Sequence, residues 1–145
     1  MAGELRTYAS AAHTIIVGGH QVTGYADGTF ISVEEIGDGI TSGSGADGEV
    51  YRAMPANQRF RITITLNQTS PSNTVLSGIY QADRLSNGGA PVPFLMEDGT
   101  GDTVLAAGQS WITKTPNADW SKTADNTRNW VIETGAVSGY VLGGN

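Results

Sequence analysis

Residues 59–87, RFRITITLNQTSPSNTVLSGIYQADRLSN, contain a change of hydrophobic period that sets two elements of the fold. Up to residue 67, every second side chain is apolar, at Phe60, Ile62, Ile64 and Leu66. Successive side chains of a strand point to opposite faces of the sheet. This two-residue period therefore predicts a β-strand with one buried face.

A helix is predicted directly after this strand. Ser70 is the expected N-cap, and Pro71 is expected at the first helical position, where its missing N–H costs nothing. Apolar residues then recur with the spacing of one helical face, at Val75, Leu76, Ile79, Ala82 and Leu85. Asn87 and the two glycines that follow favour the left-handed conformation that ends helices.

Strand patterns fill most of the remaining chain. Residues 14–23 are typical of a hairpin around the turn Gly18-Gly19. Further strands are predicted over residues 29–35, 49–54, 92–97, 103–107, 109–115 and 127–140, with a hairpin turn at residues 98–102. Trp111, Trp120 and Trp130 are expected to be large side chains of the core. About eight strands and one helix predict a mainly β fold, either a β-sandwich or a partly open barrel with a flanking helix.

The glycine-rich segment at residues 37–48, GDGITSGSGADG, has too few apolar side chains to pack a core. We expect a mobile loop there. Loops of this length inside compact domains are usually functional or become ordered on a partner.

Size and composition restrict the class of protein. A chain of 145 residues suits one domain, and the absence of cysteine excludes disulfides, thiolate metal sites and a cysteine nucleophile. The N-terminus lacks the pattern of a secretory signal, and no apolar run approaches the ~18 residues typical of a bilayer span. We therefore expect folding in a cytoplasm and no membrane insertion.

The chain is acidic, with 8 Lys and Arg against 14 Asp and Glu, a net charge of −6. Proteins that grip nucleic acid need a basic stripe, and only Arg59 and Arg61 suggest one. On an alternating strand such a pair is more typical of a solvated face or an interface. An acidic protein can still have a role with DNA if that role requires a surface to which DNA does not bind.

Some residues resemble motifs of catalysis or of metal or cofactor binding, but the neighbouring sequence or the spacing does not suit those functions. GSGADG at residues 43–48 fits a dinucleotide fingerprint, but strand-like sequence follows where a helix is required. His13 and His20 are expected on the order of 13 Å apart, too far to share a metal. Glu34 and Glu35 should point to opposite faces of a strand. We expect no catalytic residue, cofactor or metal, although carboxylates distant in sequence could still converge.

Four segments together resemble the tail tube proteins of contractile-tailed bacteriophages. They are ADGTFISVEE, GADGEVYRA, RITITLNQTSPSNTVLS and the final VLGGN. The resemblance extends over about residues 14–145, within a single domain at residues 1–145, and leaves residues 1–12 as an N-terminal arm of open role. It implies two packed antiparallel sheets with a flanking helix, six subunits in a ring, and rings stacked into a hollow tube that delivers DNA.

The resemblance also implies surfaces, partners and location. Residues 37–48 would reach the adjoining ring, with the candidate contacts Asp38, Ile40, Ser42 and Asp47. The polar face of the strand at residue 60 would be an interface or line the lumen, through Arg59, Arg61, Thr63 and Thr65. Implied partners are a sheath, tape-measure, baseplate and neck proteins, with double-stranded DNA passing without specific binding. The protein would lie in the virion tail after assembly in the host bacterial cytoplasm.

Two other hypotheses fit the same pattern. One is a β-sandwich module of a virion that binds a carbohydrate or a receptor, with tryptophans stacked on sugar rings. The other is the tube protein of a related contractile injection system, which shares the architecture.

Overall fold

The structure is a computed structural model that describes residues 5–144. Residues 1–4 of the expected N-terminal arm lie outside this range. A 3₁₀ turn at Ser10–Ala12 is followed by β1 His13–Val17, β2 His20–Gln21, β3 Ile31–Glu35, β4 Thr41–Ser44, β5 Val50–Ala53, β6 Phe60–Asn67, α1 Ser72–Leu85, β7 Val92–Asp98, β8 Val104–Ile112, β9 Thr127–Thr134 and β10 Val137–Val141. Every pairing is antiparallel. The predicted fold class, mainly β with antiparallel sheets and one helix, is confirmed.

The large sheet bends into two layers that share β8. Its strand order is β2-β1-β7-β8-β9-β6-β3, and β10 pairs with β8. Strands β9 and β10 follow one another along one edge of β8, interrupted at Gly135, whose N–H donates to the Gln109 carbonyl at 2.9 Å. The strand predicted over residues 127–140 is therefore broken by a bend, and such bends let one strand enter two layers. Conversely, the strands predicted at 103–107 and 109–115 are one continuous strand.

One buried cluster lies between the layers. The alternation predicted for β6 is confirmed, since Phe60, Ile62, Ile64 and Leu66 are all buried. Side chains of the opposite layer complete the cluster, among them Ile15, Phe94 and Leu105. Because both layers contribute to a single cluster, the two halves pack face to face and burial of apolar surface holds them together.

The tryptophans divide into three environments. Trp130 is buried in the core, as expected, and Trp111 is half-buried. Trp120 is exposed, so its assignment to the core was wrong. It lies in the long connection between β8 and β9, where no strand pattern places a side chain on an inner face.

The first hairpin is confirmed with its two-residue turn. Gly18 and Gly19 both have positive φ, 59° and 85°, as a type I′ turn requires. A Cβ on Gly18 would lie 3.3 Å from the Val92 side chain and 3.6 Å from Ile79 of α1. This turn therefore packs closely between β7 and the helix.

Both ends of the helix follow the sequence closely. The helix begins at Ser72, one residue later than predicted, and the Ser70 hydroxyl accepts the Ser72 N–H at 3.2 Å. At the other end, Asn87 has φ 56° and the Gly88 N–H donates to the Asp83 carbonyl at 2.8 Å. This 6→1 hydrogen bond is typical of the Schellman motif.

The predicted apolar face of the helix was wrong at three of its five positions. Leu76 is buried and Ile79 half-buried, but Leu85 is 85% exposed. Val75 and Ala82 are exposed as well. The first turn instead buries two polar residues, Ser72 and Asn73. Because burial is concentrated in the first turns, the helix packs on the sheets mainly through its N-terminal part.

Candidate assembly surfaces

The segment between β3 and β6 is a β-hairpin, which we call the arm (residues 39–55). β4 pairs with β5 from Thr41 opposite Ala53 to Ser44 opposite Val50, in a two-stranded sheet of its own. The turn at residues 45–48 is closed by the Gly48 N–H, which donates to the Gly45 carbonyl at 3.0 Å. The expected mobile loop at residues 37–48 is thus corrected to one half of a paired hairpin. The strand β4 lacks alternation of apolar and polar residues, so its own sequence does not indicate a strand. Only its pairing with β5 shows it.

Apolar side chains of the arm lie outside the core. Val50 is 76% exposed and Tyr51 63%, and Ile40 and Met54 are also more than half exposed. Tyr51 lies across Gly43, where a Cβ would come within 2.5 Å of the phenol oxygen. Glycine at this position lets the ring cover the opposite strand. Large exposed apolar side chains gathered on one projecting element are typical of an interaction site.

The base of the arm is fixed to the main sheet. The Ile36 N–H donates to the Arg59 carbonyl at 2.9 Å, and the Gln58 side chain donates to Glu35 at 3.0 Å. Ile40 and Met54 line a cleft of about 590 Å³ beside these contacts. These contacts therefore fix the position at which the arm leaves the end of the β3–β6 pair.

The four residues predicted for ring stacking all belong to the arm or its approach. Asp38 and Ile40 precede β4, and Ser42 lies opposite Arg52 of β5. Asp47 lies in the turn, where its carboxylate accepts the Glu49 N–H at 3.1 Å. All but Ser42 lie outside the paired strands. Their contact with a neighbouring ring stays a prediction.

The two arginines of β6 and its approach are paired with glutamates. Arg61 contacts Glu34 at 3.0 Å and Glu133 at 3.3 Å. Arg59 donates to the Thr134 carbonyl at 2.9 Å, and its Nη2 lies 3.7 Å from Glu133. The positive charges are thus balanced locally. The interpretation of this pair as a basic stripe for nucleic acid loses support, and that of a solvated or interfacial polar face gains it.

Two threonines continue the polar face along β6. Thr63 lies opposite Val131 of β9, and the Thr65 hydroxyl donates to the Asn129 side chain at 2.9 Å. With Arg59 and Arg61 they alternate with the buried side chains of the same strand. Whether this face meets another subunit or the lumen stays a prediction.

A second exposed surface, which the sequence analysis did not identify, is the connection between β8 and β9 (residues 113–126), called the 113–126 loop. Trp120 is 74% exposed, and the guanidinium carbon of Arg128 lies 5.4 Å from its ring centroid. Three side-chain hydrogen bonds among Ser121, Thr123, Asp125 and Asn126 hold the loop. Both lysines of the chain, Lys114 and Lys122, flank the tryptophan. That clustering was the signal available in the sequence.

The histidines have separate partners. His13 Nε2 lies 3.8 Å from the Asp98 carboxylate, and His20 Nε2 lies 3.0 Å from the Ser72 hydroxyl.

Within residues 5–144, no group of three or more His, Cys, Asp or Glu side chains is close enough to hold a metal ion. None of the described helical segments is long and apolar enough to cross a membrane.

Among residues 5–144, three ionisable groups have shifted pKa values. The hydrogen bond from the Thr100 N–H is the main cause that holds the pKa of Asp98 below its usual value. Burial raises the pKa of Tyr25 to about 12. Burial, together with the charge of Glu35, also raises the pKa of Tyr140. Each shift follows from local packing or hydrogen bonding.

Comparison with known proteins finds a relative by sequence and a solved structure of similar fold. The chain is 33% identical over 139 residues to "Structural protein ORF10" of Pseudomonas phage KPP10, an alignment that covers 91% of this chain and 80% of that protein. A solved structure, the tube-terminating cap of the anti-feeding prophage, superposes with a TM-score of 0.56 at 15% identity and covers 95% of this chain and 93% of the cap. At that identity the likeness shows the fold alone.

The family comparison extends over nearly the whole chain. Residues 7–143 match the family described as the bacteriophage PhiTE tail tube protein. The matched range includes the arm, the polar face of β6 and the 113–126 loop. The chain therefore belongs to the PhiTE tail tube protein family, whose members are structural components of phage tails.

Proposed function

We propose that this protein is the subunit of the hollow inner tube of a contractile phage tail. Six subunits close a ring, the rings stack, and phage DNA passes through the bore. The whole chain, residues 1–145, acts as one tube domain with residues 1–12 as an N-terminal arm. The role is structural rather than catalytic.

The observation that carries this proposal is the exposed apolar surface of the β-hairpin at residues 39–55, the arm defined above. Its four large apolar side chains lie outside the subunit's own core, so their exposure to water has no benefit for the isolated domain. Contact with a neighbouring subunit would remove this surface from water. The predicted contacts Asp38, Ile40, Ser42 and Asp47 would lie in or beside that interface.

Ring closure uses the free edges of the sheet. β3 ends the large sheet on one side, and the two-residue β2 ends it on the other. Unpaired strand edges favour association with another chain. Heterologous contacts that repeat by rotation can close into a ring.

The charges suit a passage for DNA. The net charge is −6, and the glutamates beside Arg59 and Arg61 leave little free positive charge on the polar face of β6 to hold phosphate. A surface that binds DNA weakly lets it move. Partners in the virion are a surrounding sheath, a tape-measure protein, and baseplate and neck proteins, with assembly in the host cytoplasm.

Electron microscopy tests the proposal directly. Negative-stain images of purified protein over a concentration series, with light scattering on the same samples, should show hollow rings or tubes. A particle that stays monomeric at every concentration contradicts self-assembly by this chain.

The exposed Trp120 favours a second candidate function, a carbohydrate- or receptor-binding module of a virion. Exposed aromatic rings are common platforms for sugar rings. Sugars that quench the fluorescence of the wild type, but not of Trp120→Ala, would favour the module. A tube of a related contractile injection system remains an alternative with the same architecture, and neighbouring genes separate it from a phage tail.

A further inference from the structure

We propose that the arm of one subunit docks on the 113–126 loop of a second copy in the adjoining ring. This inference rests on the proposed tube function and names the acceptor surface for the arm. Three features carry it: the positions of the two surfaces, their charges and their apolar side chains.

The arm and the 113–126 loop leave opposite ends of the same strand. At one end of β6, Phe60 pairs with Glu35, directly before the arm. At the other end, Asn67 pairs with Thr127, directly after the loop. The eight residues of β6 separate these ends by about 25 Å. Two copies displaced along this strand direction therefore bring the arm of one toward the loop of the next, in a heterologous contact that repeats.

The two surfaces with their flanking residues have net charges of opposite sign, −2 over residues 36–58 and +1 over residues 113–128. Residues 36–58 contain three acids, Asp38, Asp47 and Glu49, against the single base Arg52. The 113–126 loop itself is balanced, with Lys114 and Lys122 against Asp119 and Asp125, and Arg128 of β9, which lies over Trp120, adds one positive charge. Neither lysine forms an ion pair within residues 5–144, so both are available to an acidic partner.

Apolar groups also match. The arm presents Val50 and Tyr51 beside its acidic turn, and the loop presents Trp120 between its lysines. The Arg128 guanidinium over the indole and the hydrogen bonds within the loop fix the position of the ring before any partner arrives. A preordered aromatic side chain surrounded by polar groups is typical of the energetic centre of an interface.

Cross-linking tests the contact, because the natural chain has no cysteine to interfere. Ala46→Cys in the arm turn and Ala118→Cys in the loop are prepared separately, mixed, assembled and oxidised. The control pairs Ala46→Cys with Ala82→Cys, an equally small change at an exposed position on α1. We expect the disulfide between positions 46 and 118 to exceed the control by about tenfold, as for a preferred contact.

Charge reversal gives an independent test. Lys122→Glu and Glu49→Lys should each raise the concentration needed for tubes about threefold, and combining the two changes in one chain should restore it. If wild-type protein forms no rings or tubes, the proposed function fails and the docking fails with it. The docking alone is overturned if tubes form but the disulfide between positions 46 and 118 stays at the control level. It is also overturned if two copies of the Ala118→Cys variant link to each other instead.

Discussion

At the scale of single residues, Asn73 joins the helix to both the core and the strand before it. Its side-chain oxygen accepts the indole N–H of Trp130 at 2.9 Å. Its amide group donates to the carbonyls of Asn67 and Gln68 at 3.0 and 3.3 Å. A polar side chain at the first turn of the helix thus satisfies three groups that would otherwise lose their hydrogen bonds.

Asn73→Ala should lower the free energy of unfolding by about 2–3 kcal/mol, because it leaves the buried indole N–H without an acceptor. Urea denaturation followed by circular dichroism measures the change. The matched control is Asn129→Ala, which removes an exposed side-chain hydrogen bond to Thr65 and should cost less than about 0.5 kcal/mol. Equal losses in both variants would mean that Asn73 contributes no more than a surface residue.

Asp98 should make the fold sensitive to acid. The hydrogen bonds from the N–H and hydroxyl of Thr100, with His13 nearby, lower the pKa of Asp98 in the folded state. The contribution is therefore present above the unfolded pKa of about 4 and is lost as the pH falls through the folded value. Melting temperatures from pH 7 to pH 3 should fall less for Asp98→Asn than for wild type. Thr100→Val, which keeps the N–H, should have an intermediate profile; a profile of Asp98→Asn identical to wild type contradicts the assignment.

At the scale of elements, the arm should be separable from the fold. Its strands bury no side chain in the core, and hydrogen bonds at residues 35–36 and 58–59 close its base. Replacing residues 40–54 by a short polar link should shift the melting temperature by no more than about 5 °C. Stacking of rings should be lost, as seen by electron microscopy. Val50→Ser with Tyr51→Ser, which keeps the hairpin, should weaken stacking too; full-length tubes from the shortened chain would remove the arm from the interface.

Elements with a strong local pattern could be predicted from the sequence. The alternation of β6, the Gly18-Gly19 turn and the Asn87 helix stop each depend on residues close together in the chain. The strand β4, by contrast, has polar residues and glycine on both faces and exists only through its pairing with β5. The exposure of Leu85 and Trp120 was not predictable either, because it depends on where the helix and the long loop leave the core.

At the scale of the whole molecule, the subunit has two different ends. The acidic, apolar arm lies at one end of β6, and the 113–126 loop, with the exposed Trp120 and the neighbouring Arg128, lies at the other. A molecule with unlike ends favours repeated head-to-tail contacts over closed pairs. The region of the central strands between these ends contains the balanced charges of two arginines and two glutamates, Arg59, Arg61, Glu34 and Glu133. We therefore expect the stacking contacts at these ends, and the polar face between them is close to neutral.

The same charge balance should prevent the isolated subunit from holding DNA. Fluorescence anisotropy with labelled double-stranded DNA at low salt should give no binding by wild type at micromolar concentration. Glu34→Gln with Glu133→Gln releases Arg59 and Arg61, and should produce binding whose logarithm falls with the logarithm of salt at a slope of about −2. Asp47→Asn with Glu49→Gln removes the same number of charges from the arm and frees no arginine of β6. If this control binds DNA as well as the first variant, net charge rather than local pairing keeps DNA from the polar face.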